Sequence, residues 1–231
     1  MSEIVKTPEQ LLSIMKAAAM GDTCFSHMVG FIKTGMTELF VAAEIERVLL
    51  GLGAEKLAFP TICVSGERSN QPHGEPTDKV IEEGDLVTLD FGAVVDGYCA
   101  DMTRTVAMGY AGCFQREVYD LVLKAQLAAL KACKAGVAGR DVDKAARDII
   151  EGAGFKEEFC HGTGHGVGAE VHEAPYLKRE SEDVLLENMA VTIEPGIYIP
   201  GKFGVRIEDL AIVTKFGIIN TVKSTKELIV L

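Results

Sequence analysis

No stretch of this 231-residue chain runs longer than about eleven residues without Asp, Glu, Lys or Arg, whereas a membrane helix needs roughly 20 apolar residues. The sequence therefore offers no bilayer span. Met1 to Lys6 lacks the basic-then-apolar pattern of a secretion signal, so the expected location is the cytoplasm. Positive charge is scarce: 23 Lys and Arg stand against 34 Asp and Glu, a net charge of −11. That balance repels phosphate backbones, argues against a nucleic-acid footprint and suits cation binding. The six cysteines, Cys24, Cys63, Cys99, Cys113, Cys133 and Cys160, include no Cys-x-x-Cys pair. A thiolate zinc site or dithiol redox motif has no basis, and the thiols are expected to be reduced and mostly buried. Only 7 prolines accompany 24 glycines, a pattern of tight turns without a collagen repeat. What remains, 48% hydrophobic and 25% charged, is the composition of a globular chain large enough to bury a substantial core.

Local signals divide the chain. Thr7-Pro8-Glu9-Gln10 combines an N-cap hydroxyl, a proline at the first helical position and a capping-box glutamine, so a helix should run from there to about Lys33. After Gly35, Thr37 can cap a second helix, with an apolar stripe of Leu39, Ile45, Val48, Leu49 and Leu52. Thr61 to Ser65 reads as a buried strand and Glu67 to Asp78 as a polar loop carrying His73. Leu86 to Val94 and Tyr98 to Met108 form a hairpin through Asp96-Gly97. Two helices follow, Phe114 to about Lys134 and Asp141 to Glu151, then a glycine-rich loop at Gly162 to Gly168 and mostly strands from Met189 onward. The order predicts an α+β fold of two similar halves around one sheet, with no residue-level repeat.

The chemistry begins in the Asp96-Gly97 hairpin. A two-residue loop pairs positions summing to 193, so Asp101 faces Gly92, and Asp90 lies on that same face. Asp90 ends an apolar run, where an unpaired carboxylate is costly. The ordinary alternative pairs both aspartates with Arg104 or lysines on a half-solvated face. Glu194 and Glu208 form a second acidic pair among apolar residues. A loop centred on Gly201 makes them face each other, whereas a two-residue loop on Pro200-Gly201 sends them to opposite faces; the sequence leaves both open. Of five histidines, His27 reads as an ordinary helix residue, His73 sits in a loop, and His161, His165 and His172 fall within twelve residues among glycines. Glycines on both sides of His165 allow close backbone approach to a site. Four buried carboxylates need compensation, which two dications supply and one imidazole completes. Asp, Asp, His, Glu, Glu is a hard, oxygen-rich set that suits manganese, cobalt or iron, with zinc as an alternative. Two ions roughly 3.5–4 Å apart acidify a shared water and hold a carbonyl opposite it, which is hydrolase chemistry.

The segments Phe59-Pro60-Thr61 through His73, Leu89-Asp90-Phe91-Gly92, Ala100 to Thr105, Gly162 to Gly168 with His172-Glu173-Ala174-Pro175, Glu194-Pro195-Gly196 and Arg206-Ile207-Glu208-Asp209 together resemble the pita-bread metallopeptidases over essentially the whole chain. The resemblance implies two pseudo-symmetric α+β halves around a curved, mainly antiparallel sheet. It implies Asp90, Asp101, His165, Glu194 and Glu208 as ligands of two divalent ions, manganese first, with both aspartates and Glu208 touching or bridging the pair. It further implies His73 and His172 as substrate-binding groups and Glu194 as proton shuttle. Arg206 two residues before Glu208 looks like the Xaa-Pro peptidases of that superfamily, whose usual N-terminal domain has no counterpart here. Length instead resembles the single-domain methionine aminopeptidases. The expectation is one catalytic domain over residues 1–231, with Arg206 supporting the metal site, acting on peptides with proline at the second position, and with a homodimer as its candidate assembly. Removal of N-terminal methionine is the alternative, and a catalytically inactive peptide-binding module of the same fold is the third reading.

Overall fold

The computed structural model describes residues 4–231; Met1 to Glu3, half of the segment read for a leader, lie outside the described residues. Helix α1 (Pro8–Phe31) starts as the capping box requires, with Thr7 Oγ1 accepting from the Gln10 N–H and Gln10 Oε1 accepting from the Thr7 N–H. It ends at Phe31, two residues before the expected Lys33, and the backbone turns extended at Ile32. Helix α2 (Glu38–Gly51) is capped by Thr37. Its buried face is Glu38, Val41, Ala42, Ile45 and Leu49, a stripe rotated from the expected one. Leu39 and Leu52 are exposed, and Leu39 lies on a cleft wall instead of in the core.

Strands β1 (Lys56–Leu57) and β2 (Ile62–Ser65) lead through a 3-10 turn, Gly66–Asn70, into the His73 loop. The expected hairpin forms in four pieces, β3 (Leu86–Phe91), β4 (Ala93–Val95), β5 (Tyr98–Cys99) and β6 (Met102–Ala107). Both rungs keep the sum of 193, as Asp90↔Thr103 and Val94↔Cys99. The arms break at Gly92, where a Cβ would stand 1.9 Å from the Ala100 carbonyl oxygen. This break hands the ribbon from the set β2-β3-β6 to the set β1-β4-β5.

The second half repeats the plan with α3 (Cys113–Ala132), α4 (Gly139–Gly152), β7 (Gly164–Gly166), β8 (Glu173–Leu177), β9 (Ala190–Ile193), β10 (Gly196–Ile199), β11 (Phe203–Arg206), β12 (Asp209–Val213) and β13 (Ile218–Asn220). All ladders between the named strands are antiparallel. The expected single sheet is divided into four hydrogen-bonded sets, the largest ordered β13-β12-β9-β7-β8. Two apolar cores result, one under α1 and α2, the other under α3 and α4. Four thiols are buried as expected, but Cys113 and Cys160 are exposed. Among the described residues no helix is long and apolar enough to cross a membrane.

Candidate active site

The ends of β3, β6, β7, β9 and β11 deliver five ionisable side chains to one cleft of about 790 Å³. Asp90 reaches it from β3 and Asp101 from the turn before β6. The loop between β10 and β11 centres on Gly201, at φ +71°, giving pairs that sum to 402, Ile199↔Phe203 and Gly196↔Arg206. Strands β9 and β12 keep that sum as Ile193↔Asp209, so Glu194 and Glu208 face each other. His165 comes from β7, between glycines that lie against neighbouring backbone: a Cβ on Gly164 would meet the Thr192 carbonyl oxygen at 2.0 Å.

His165 Nε2 stands 3.1 Å from Glu194 Oε1 and 3.8 Å from Asp101 Oδ2. Ligand atoms of Asp101, His165 and Glu208 all lie within 4.8 Å of one another. Arg206 threads the carboxylates together: its Nη2 donates to Asp90 Oδ2, its Nε to Thr103 Oγ1 at 3.0 Å, and its Nη1 to the Tyr198 hydroxyl at 2.7 Å and the Pro72 carbonyl at 3.1 Å. Thr103 Oγ1 in turn donates to Glu208 Oε2 at 2.6 Å. Thus Asp90 is paired with Arg206, not with Arg104. Arg104 serves Asp209 at 2.7 Å, on the other face of the strand.

Three of the six buried side-chain oxygens left without a partner among the described residues lie in this cluster. Asp90 Oδ1, Asp101 Oδ1 and Glu208 Oε1 have no hydrogen-bond partner. An unpartnered carboxylate oxygen in a dry site is costly, and these three belong to the acidic cluster. Burial, then the charges of Glu208, Asp90 and Glu194, push the Asp101 carboxyl well above its ordinary range. Burial, then Glu194 and Asp90, does the same to Glu208. Asp90 rises through burial, partly opposed by Arg206. Burial alone would raise Glu194 too, but its hydrogen bond to His165 and the charge of that ring outweigh it and hold Glu194 low. A hard, multidentate cavity with oxygens unmet by protein donors fits divalent cations.

The remaining histidines distribute as follows. His73 and His172 line the same cleft, and the His172 ring lies 4.2 Å from the His165 ring at 53°. Burial and the neighbouring His165 hold His172 below the ordinary imidazole range. His27 is remote and half-exposed, bonded to Glu44 at 2.7 Å on α2. Two further groups, one lining the cleft and one behind it, have no role assigned from the sequence. His161 shares the cleft, with Nε2 2.9 Å from the Tyr198 hydroxyl. Its place in the same glycine-rich run was the available signal. Tyr198, which joins His161 to Arg206, had none, because its contact arises only from the β10–β11 register.

A family model described as metallopeptidase family M24 matches residues 13–215. The chain belongs to that family. Its fold is the family's pita-bread fold, since the solved structure titled Xaa-Pro dipeptidase from Bacillus anthracis superposes with a TM-score of 0.98 at 48% identity, over 99% of this chain and 64% of that one. An X-Pro aminopeptidase from Thermotoga maritima gives 0.96 at 42% identity, over 99% of this chain and 65% of that one. The Xaa-Pro dipeptidase of Pyrococcus furiosus is 45% identical over 226 residues, 98% of this chain and 65% of its own length. The chain thus spans just under two thirds of the relatives it matches.

Proposed function

We propose that the chain is a metal-dependent exopeptidase that hydrolyses the bond between an N-terminal residue and a following proline. The observation that carries this reading is the convergence of Asp90, Asp101, His165, Glu194 and Glu208, three of them with an orphaned oxygen, in one cleft. The M24 match supports metal-dependent peptidase chemistry, and the Xaa-Pro names of the relatives support the substrate class and favour it over removal of N-terminal methionine. An inactive binding module has no use for such a costly cluster.

In this reading the five side chains hold two divalent cations, because two dications balance four carboxylates, and the oxygen-rich set suits manganese first, with cobalt, iron or zinc as alternatives. The cations supply Lewis acidity toward a water and a peptide carbonyl. The chain's own groups do the rest. Glu194 takes the proton of the attacking water and returns it to the departing proline nitrogen, which leaves as a secondary amine. His73 and His172 approach the peptide from separate loops, and the neutral form favoured at His172 can donate to a carbonyl. Leu39, Ala42, Phe59, Pro60 and Ile62 give the cleft an apolar wall beside these groups. Arg206 holds Asp90 in place. Free cysteines suit the reducing cytoplasm, and the reading keeps a homodimer as its assembly.

The test offers the purified chain, loaded with manganese or cobalt, Leu-Pro, Arg-Pro-Pro and Met-Ala-Ser side by side, with products identified by mass spectrometry. Cleavage of the proline peptides alone is expected. Efficient hydrolysis of Met-Ala-Ser with the other two untouched makes methionine removal the function.

A further inference from the structure

Glu38, the first residue of α2, is fully buried and belongs to neither apolar core. Its carboxylate accepts five hydrogen bonds. Oε1 receives the N–H and O–H of Ser65 at 2.8 and 2.9 Å. Oε2 receives the Arg68 Nε–H at 3.1 Å and the N–H and O–H of Thr77 at 3.1 and 2.9 Å. Ser65 ends β2 and Thr77 closes the segment that follows it, so one side chain ties both ends of the loop that carries His73. Arg68, held by Glu38, also crosses that loop to the Glu75 carbonyl at 2.7 Å. On the far side, Arg206 holds the carbonyl of Pro72, the residue before His73.

The second half of the molecule contains the same device without the same sequence. Asp143, in the first part of α4 and buried, receives the N–H and O–H of Thr163 at 3.1 and 2.9 Å. Arg147 pairs with it at 2.6 and 2.8 Å and reaches the carbonyls of Phe159 and His161. In each half, a buried acid on the second helix grips a hydroxyl residue and, through an arginine, the backbone of a histidine-bearing loop. Recurrence on unlike residues separates this arrangement from incidental core polarity.

We propose that Glu38 is a positioning residue for His73: it closes an otherwise polar, proline-containing loop and so fixes where the imidazole stands in the cleft. The kinetic part of this proposal rests on the reading of His73 as a substrate-contacting group. Glutamine at position 38 keeps the volume but turns one oxygen into an amide donor facing donors, leaving buried N–H and O–H groups unpaired. The loop, which also rests on β11 through Arg206 and Gly204, should open without disturbing helices α3 and α4.

The experiment combines hydrogen-exchange mass spectrometry with a double-mutant cycle on the metal-loaded chain. Glu38→Gln is expected to speed exchange across residues 66–77 by about tenfold or more while α3 and α4 keep their rates. On Leu-Pro, kcat/KM should fall by roughly 10–100-fold, as for other groups that orient a site residue. Adding Glu38→Gln to His73→Ala should then cost about nothing further, because the two act as one unit. Unchanged exchange in 66–77, or multiplicative losses in the double variant, overturns the proposal. Should Glu38→Gln fail to fold, Thr77→Val, which removes the hydroxyl bond at the far end and keeps the N–H one, carries the same test, with about threefold faster exchange expected and no change as the overturning result. If the wild type cleaves no Xaa-Pro peptide, the proposed function falls, and the exchange result by itself decides whether Glu38 sets this loop.

Discussion

Arg206 shows how a single side chain divides the oxygens of a carboxylate cluster. Its four contacts go to Thr103, Pro72, Tyr198 and Asp90, and each acid it serves, directly or through Thr103, is left with its other oxygen unpaired. One oxygen fixes the side chain, the other faces the cluster. His172 differs in kind, being partly exposed with its ring against that of His165 and with no hydrogen-bonded carboxylate of its own. The two classes should respond differently to substitution. Asp101→Asn is expected to lose both metal and turnover, whereas His172→Ala should keep its metal and lose kcat by about 10²–10⁴-fold, the range of lost acid–base or oxyanion help. Elemental analysis beside steady-state kinetics separates them, and metal loss from His172→Ala would make His172 a ligand. The acidic residues were legible because carboxylates in apolar runs stand out. Their partners were not: Asp90 and Arg206 lie 116 residues apart, and only the fold shows that Arg206 takes Asp90 while Arg104 takes Asp209.

The elements that aim these residues differ in how far their sequences declare them. Asp96-Gly97 specifies a two-residue turn, with Asp96 at φ 49° and Gly97 at φ 76°, and the register followed from it for the full length of the ribbon. Pro200-Gly201 did not, since the pair suits a two-residue turn as well as the three-residue loop that forms, and one residue of difference decides which face Glu208 takes. The break at Gly92 was likewise hidden. Nothing local distinguishes a glycine that relaxes a strand from one that lets the Ala100 carbonyl pass where a side chain would be. Gly92→Ala tests the role of that break. The contact is to backbone, which cannot swing aside, so the variant should lose about 1–3 kcal/mol by overpacking and, because Ala100 adjoins Asp101, bind metal more weakly. Thermal unfolding and metal titration measure the two effects. A variant with wild-type values for both would mean that the break does not place the aspartates.

For the whole molecule, the crowded acids make folding stability and cation binding one equilibrium. In the metal-free chain Asp90, Asp101 and Glu208 titrate above the ordinary carboxylate range. A raised native pKa means that the folded state holds protons the unfolded chain has released, so this contribution is present below about pH 4 and lost as pH climbs through the raised values. Burial disfavours the His165 cation, but Glu194 outweighs it and raises that pKa, so His165 runs the same way from the imidazole range upward. His161 and His172, both lowered chiefly by burial, run oppositely, gaining stability as pH rises through about 6.5. Both feel the charge of Glu194, so cations beside it would disfavour their protonated forms further and add to the same trend with pH. Cations remove the carboxylate repulsion and bind only deprotonated ligands, so their stabilising effect must grow as pH rises. The unfolding temperature with manganese should therefore exceed that in chelator by a margin that widens from pH 5 to pH 8. At a metal concentration 100 times the dissociation constant, linkage supplies about 2.7 kcal/mol for one site. Calorimetry at several pH values reads the margin directly. A margin that is absent, or constant across that range, would mean that these carboxylates are not what the cation neutralises.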